Sequence, residues 1–208
     1  MKWLVLVLVI LLLGSVFLNI KLLKKDSSGT YKVTEVIDGD TFKIEFEGGK
    51  RVRLIGIDAP ELGRCLSNEA KNKLVELVLG KQVRLEDTFS DPYGRIMANV
   101  YLGNEYINKD MLAAAMGRMD YGTNPHRDEL KAVYQQAVKQ QIGVHGNQCK
   151  VTSTCQIKGN IDDNNKKWFY MPGCTGYGNV TVNTAFGDAW FCSEIEATMA
   201  GFVNACQR

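Results

Sequence analysis

The sequence predicts a mixed α+β domain of five short strands and three helices, followed by a small cysteine-containing unit. Three observations predict it. Apolar and polar residues alternate from Val33 to Phe46 on either side of Asp38-Gly39, and a strand follows from Arg51 to Ile57. A helical apolar stripe runs from Leu66 to Leu79, with Gly80 as its stop. From Val151 the composition shifts to short strand-like runs rich in Gly, Asn and aromatic residues.

The elements are justified in chain order. Trp3 to Ile20 is uncharged and mostly Leu, Val and Ile, the length and character of a membrane-spanning helix. Residues 1–23 are therefore expected to be an N-terminal transmembrane anchor or a cleavable signal segment. The bulky Val16-Phe17-Leu18-Asn19 offers no small-x-small cleavage site and favours the anchor. Lys2 on one flank opposes Lys21, Lys24 and Lys25 on the other, so charge does not set the orientation. Residues 24–30 are polar and read as a linker. The main domain, residues 31–149, opens with the two strands around Asp38-Gly39, and the Gly48-Gly49 turn leads into the third. The first helix places Leu66, Ala70, Leu74, Leu77 and Val78 on one face. Gln82 to Glu86 resumes strand alternation, and Arg95 to Leu102 supplies a fifth strand after the Pro92-Tyr93-Gly94 turn. Asn108 is expected to cap a helix through Met111, Leu112, Ala115 and Met116, and Pro125 to open a last one through Leu130, Val133, Tyr134, Ala137 and Val138.

The stretch from Asp38 to Glu61 carries the chemistry. Asp40 lies just after the first turn, and Asp58 and Glu61 lie where the third strand runs out into Ala59-Pro60. If the strands pair in order, the three carboxylates converge at one rim, within reach of Arg53. Converging carboxylates repel unless a hard cation such as Ca2+ holds them, and a cation beside an arginine suits a phosphate group. Singly, each piece has an ordinary reading: a turn, an acid at a helix start, a solvated arginine. Their combination at this spacing is far more specific.

Through DGDT at Asp38 to Thr41, RLIGIDAPE at Arg53 to Glu61 and DPYGR at Asp91 to Arg95, residues Tyr31 to about Cys149 resemble the staphylococcal nuclease (thermonuclease) family. The resemblance implies a five-stranded OB-fold barrel with helices and Ca2+-dependent hydrolysis of DNA and RNA phosphodiesters. It implies that Asp40, Asp58 and the Ala59 backbone carbonyl bind the metal. Glu61 would be the general base or water-orienting carboxylate, Arg53 and Arg95 would hold the scissile phosphate, and Tyr93 and Tyr121 would contact the nucleotide. Ala59, Pro92 and Thr123 depart from the pattern, which bears on substrate affinity and base preference more than on chemistry.

Charge excludes a broad basic face. Tyr31 to Cys149 holds 16 Lys plus Arg against 17 Asp plus Glu. Modest affinity and little sequence specificity are expected. His126 and His145 stand far in sequence from the acids and lack neighbouring ligands at metal spacing.

Residues 150–208 are expected to form a second, small domain. The runs CQIKGN from Cys155, YMPGC ending at Cys174 and WFCSEIEA from Trp190 resemble a module found at the carboxyl end of exported nucleases and other bacterial proteins, with Met171 where a histidine is frequent. All six cysteines lie beyond the apolar run, and no C-x-x-C pair favours zinc. Disulfides in an oxidising compartment are the better reading. Of the fifteen possible pairings of these six cysteines, the favoured set is Cys65 with Cys149, Cys155 with Cys192, and Cys174 with Cys206. The first would pin the loop after Glu61; the others would staple a tail too small to rely on its core.

The expectation is a membrane-anchored, extracytoplasmic nuclease, secreted if the N-terminal segment is cleaved, monomeric and with no obligate protein partner. Its rivals are a catalytically silent OB-type module binding nucleic acid or protein, and a chain whose tail is the functional part.

Overall fold

The computed structural model describes residues 29–46, 48–162 and 165–207. The apolar run Trp3 to Ile20 lies outside the described residues, among which no helix is long and apolar enough to cross a membrane.

The chain opens with a meander of β1 (Thr30–Val36), β2 (Thr41–Ile44) and β3 (Lys50–Leu54). A two-residue strand, β4 (Ile57–Asp58), precedes α1 (Ser67–Val78), and β5 (Gln82–Ser90) and β6 (Ile96–Leu102) follow. After β7 (Glu105–Tyr106) come α2 (Ile107–Ala113), β8 (Arg118–Met119) and α3 (Arg127–Gln140). Strands β1 and β2, β2 and β3, β1 and β5, and β5 and β6 pair antiparallel, and β6 returns parallel to β3 with Val52 opposite Ile96. That last pairing closes five strands into a barrel, as expected.

Alternation explains the closure. Val33, Phe42, Ile44, Val52, Leu54, Val83, Ala98 and Val100 all point inward and are fully buried. Leu74 and Val78 of α1, Met111 and Leu112 of α2 and Leu130 of α3 complete the same core. Each large side chain so buried contributes roughly 1.5–3 kcal/mol.

The departures from expectation bear on the site. The third strand breaks before Ile57 because Gly56 adopts φ +79°, where a Cβ would also meet Leu130 at 2.7 Å. The break frees β4 to pair with β8, setting Asp58 opposite Arg118. Strand β5 runs on to Ser90 through a bulge at Glu86 to Phe89. Asn108 does not cap α2: it is fully buried within the helix. Its side chain accepts from the Val100 N–H at 2.9 Å and donates to the Ile55 and Ala98 carbonyls at 2.9 and 3.1 Å, fastening the segment after β3 to β6. Val138, expected on the buried stripe of α3, is 41% exposed.

The tail forms its own four-stranded sheet, in the order β11 (Ala189–Phe191), β9 (Ile157–Ile161), β10 (Lys167–Tyr170), β12 (Val203–Asn204), with α4 (Glu194–Met199) between β11 and β12 in the chain. Ile157, Ile161, Phe169, Phe191, Ala197 and Phe202 make a separate core. Ser193 caps α4, its side chain accepting from the Glu196 N–H at 3.2 Å. The three disulfides join Cys65 to Cys149, Cys155 to Cys192 and Cys174 to Cys206, the favoured connectivity. A third apolar cluster of Val144, Cys149, Ala185 and Phe186, with Cys65 and Leu66 against it, seats the tail on the barrel domain.

Candidate active site

A cleft of about 750 Å³ opens beside the barrel rim. It is lined by Arg53 from β3, Asp58 from β4, Glu61 from the following loop, and Tyr93 and Arg95 from the β5–β6 turn, all of them expected at the site.

Antiparallel pairing places Arg53 opposite Thr41, the neighbour of Asp40. The Arg53 guanidinium therefore bridges two acids, Nη1 donating to Asp40 Oδ1 at 2.5 Å and Nη2 to Asp58 Oδ1 at 3.0 Å. Asp40 is 2% exposed and also accepts from the Thr41 hydroxyl at 2.8 Å and the Ala59 N–H at 2.9 Å. Burial pushes its carboxyl up, to about 7, against the opposing pull of Arg53 and these hydrogen bonds. Burial works against the Arg53 cation, but Asp40 and Asp58 outweigh it and hold the guanidinium charged. The second oxygen of Asp58 accepts from Arg118 Nε at 3.0 Å, so an arginine grips each side of this carboxylate.

Glu61 is exposed, on a turn closed by the Arg64 N–H donating to its carbonyl at 3.0 Å. Four residues on, Cys65 is tied to Cys149. Arg95 is fixed by Asp91: one carboxylate oxygen accepts from the Tyr93 and Arg95 N–H groups at 2.9 Å each, the other from Arg95 Nε at 2.7 Å. Burial raises the Asp91 carboxyl, but its bonds to Arg95 and Tyr93 prevail and hold it below the usual carboxylate range. Tyr93 is 76% exposed, with the Arg95 guanidinium 5.4 Å from its ring centre.

Two expectations need correction. The three carboxylates do not converge as one cluster: Asp40 lies buried behind Arg53 while Glu61 stands at the surface. Among the described residues, no three His, Cys, Asp or Glu side chains gather into a ready metal cage. Tyr121 is not on the cleft lining; it lies at the surface under Arg127, whereas its neighbour Asp120 lines the cleft. Thr123, with Ile55, Asp87, Phe89 and Pro125, lines an adjoining hollow of about 560 Å³, and Phe89 borders both spaces. His126 bonds Tyr101 at 3.3 Å, and His145 is buried between Tyr134 and Phe186.

The donor chemistry fits a hard cation that keeps part of its hydration. Asp40 and Asp58 lie within the span of one guanidinium, and Ala59, the next residue after Asp58, donates its N–H to Asp40. Two carboxylates and a backbone carbonyl fall short of the roughly six to eight oxygens Ca2+ takes, so water and substrate would supply the rest.

Sequence reading missed Arg118, Arg51 and Arg64, and the tail's share of the cleft through Ile161, Asn165 and Lys167. The signal for Arg118 was its apolar setting, Met116-Gly117-Arg118-Met119: a buried arginine demands an acid, though 60 residues separate it from Asp58.

Comparison with known proteins agrees with this geometry. Residues 51–146 match the family described as "Staphylococcal nuclease homologue". The thermonuclease of Staphylococcus intermedius is 36% identical over 124 residues, 53% of this chain and 70% of that protein. That of Staphylococcus hyicus is 32% identical over 120 residues, 53% of this chain and 68% of that protein. An uncharacterized endonuclease of Haemophilus influenzae is 38% identical over 89 residues, 42% of this chain and 50% of that protein. With the barrel closed in the expected strand order and two thermonucleases aligned over more than two thirds of their lengths, the chain belongs to the staphylococcal nuclease family.

Proposed function

We propose that this chain is a Ca2+-dependent nuclease that hydrolyses DNA and RNA phosphodiester bonds with little sequence preference. One observation carries the reading: Arg53 bridges Asp40 and Asp58 at a cleft that also presents Glu61 and Arg95.

Arg53 and Arg95 bind the non-bridging oxygens of the scissile phosphate and meet the charge that grows on them in the transition state. Asp91 holds Arg95 at Nε, leaving its Nη groups for phosphate. Glu61, exposed at the cleft edge, orients the attacking water and takes its proton as the new P–O bond forms and the bond to the leaving ester oxygen breaks. Asp40, Asp58 and the Ala59 carbonyl would hold the cation, whose chemistry is to polarise the phosphoryl group. Tyr93, exposed beside Arg95, offers a face on which a base stacks. Contacts aimed at phosphate read backbone rather than sequence, which supports broad specificity.

The apolar run within residues 1–23 supports a membrane anchor, with the linker at 24–30 carrying the domains outward. Three disulfides support an oxidising, extracytoplasmic setting. The nuclease domain is assigned to residues 31–149 and the small domain to 150–208; the protein acts as a monomer, and as a secreted enzyme if the N-terminal segment is cleaved.

The test is hydrolysis of single-stranded DNA by the oxidised protein with Ca2+, then with excess chelator, then with other divalent ions. Cleavage that requires Ca2+ is expected. Binding without cleavage in any divalent ion would favour the silent-module reading instead.

A further inference from the structure

The tail touches the barrel domain at Arg118, among other places, and Arg118 grips the outer oxygen of Asp58. Arg118 is 7% exposed and spends its guanidinium on both partners. Nε donates to Asp58 Oδ2 at 3.0 Å, Nη1 to the Ile161 carbonyl at 2.9 Å and Nη2 to the Asp162 carbonyl at 3.4 Å. Phe186, also from the tail, lies with its ring centre 4.8 Å from the same group. These carbonyls sit at the end of β9, where Asp188 accepts from the Ile161 N–H at 2.8 Å and from the Asn183 N–H at 3.1 Å. A chain of buried polar contacts thus runs from Asp188 through the β9 end and Arg118 to Asp58.

Two further contacts bring the tail to the cleft. Gly187, at φ +83°, lies so close to Arg64 that a Cβ would meet its guanidinium carbon at 2.9 Å, and Arg64 lines the cleft. Asn165 and Lys167 line the same cleft from the tail side.

The geometry points to Arg118 as a positioning residue for Asp58, held in place by the C-terminal module, which is a working wall of the catalytic cleft rather than an independent passenger. The inference rests on the nuclease reading for its functional meaning, but the tie itself is a property of the fold. Arg53 alone fixes one oxygen of Asp58; the second grip, from Arg118, sets the plane of the carboxylate. Partners of this kind behind a metal ligand typically govern affinity or activity by roughly 10–100-fold. A lysine in place of Arg118 keeps the charge beside Asp58 but loses the fork that reaches three acceptors at once. Arg118→Lys therefore isolates geometry from charge.

The experiment compares the wild-type full chain with Arg118→Lys and Asp188→Asn. Asp188 is distant in role from the substrate, and its amide would set donors against the N–H groups that the carboxylate now receives. Calorimetric Ca2+ binding without substrate, kcat and KM on single-stranded DNA at saturating Ca2+, and the melting temperature are measured for each. Arg118→Lys is expected to weaken Ca2+ binding and lower kcat by about tenfold each, with KM little changed. Asp188→Asn is expected to shift both in the same direction by several-fold, and it carries the test if Arg118→Lys does not fold. Folded variants that both match the wild type within twofold would overturn the proposal. Loss in Arg118→Lys with wild-type behaviour in Asp188→Asn would overturn the module's part in it. A wild type that binds Ca2+ but cleaves nothing would refute the nuclease reading alone, since calorimetry of the variants still reads the positioning of Asp58.

Discussion

Replacing Arg53 by methionine separates what this residue does for the fold from what it does for phosphate. Its side chain is 15% exposed, and it supplies the partner of Asp40, whose side chain is 3% exposed. Removing one member of such a buried pair costs on the order of 3–5 kcal/mol, because the remaining charge is left uncompensated. For a chain of this size each kcal/mol lowers the melting temperature by roughly 2–4 °C, so a fall of about 6–20 °C is expected. The assay is thermal unfolding followed by circular dichroism, in chelator and again in millimolar Ca2+. Ca2+ is expected to recover part of the loss, since a ligand that binds only the folded state stabilises it and the variant leaves Asp40 and Asp58 without their shared arginine. A melting temperature within about 2 °C of the wild type, in chelator, would refute the buried-pair reasoning. A fall that Ca2+ deepens would refute the assignment of both carboxylates to the cation.

Other expectations concern the frame around the site. The Cys65–Cys149 bridge spans 84 residues, and its loss in the Cys65→Ser, Cys149→Ser double variant should destabilise the protein by about 4–5 kcal/mol, measured by urea unfolding. An effect below about 1 kcal/mol would show that the neighbouring apolar cluster suffices to hold the loop after Glu61. Burial holds His145 below its ordinary value of 6.5, despite a hydrogen bond involving the Gly117 backbone that favours the proton. Between the depressed value and 6.5 the unfolded chain binds the additional proton, so stability is full above 6.5 and declines as pH falls through that window. His145→Phe should flatten this part of the profile of melting temperature against pH; an unchanged decline would assign it to other groups.

The barrel was legible because it is written in local patterns. Alternation marks β1, β2 and the first half of β5, and the stripe through Ala70, Leu74 and Val78 marks α1. The break at Gly56 was not legible, since it depends on Leu130 packing where a Cβ would stand. Asn108 shows the same limit: a polar residue before an apolar stripe suits a cap, but its partners at Ile55 and Ala98 exist only once the barrel has closed. At the site, DGDT and RLIGIDAPE identified Asp40, Arg53, Asp58 and Glu61, since the motif and the strand pairing that assembles it lie in one stretch. Arg118 was out of reach because its meaning comes from a β4–β8 pairing and a tail contact, neither of which leaves a periodic trace. The disulfide connectivity was favoured among fifteen pairings but not fixed by cysteine spacing; the pairs meet only once the loop after Glu61 and the tail have folded.

The most direct test of the central claim is the turnover of Glu61→Gln on single-stranded DNA at saturating Ca2+, beside the wild type. Glu61 is exposed, so the substitution should leave stability within about 0.5 kcal/mol. A residue that orients water and takes its proton should, once neutralised, lower kcat by roughly 10²–10⁴-fold. That loss in a variant with an unchanged melting temperature is the predicted result; turnover near that of the wild type would contradict the assignment of Glu61 and the mechanism built on it.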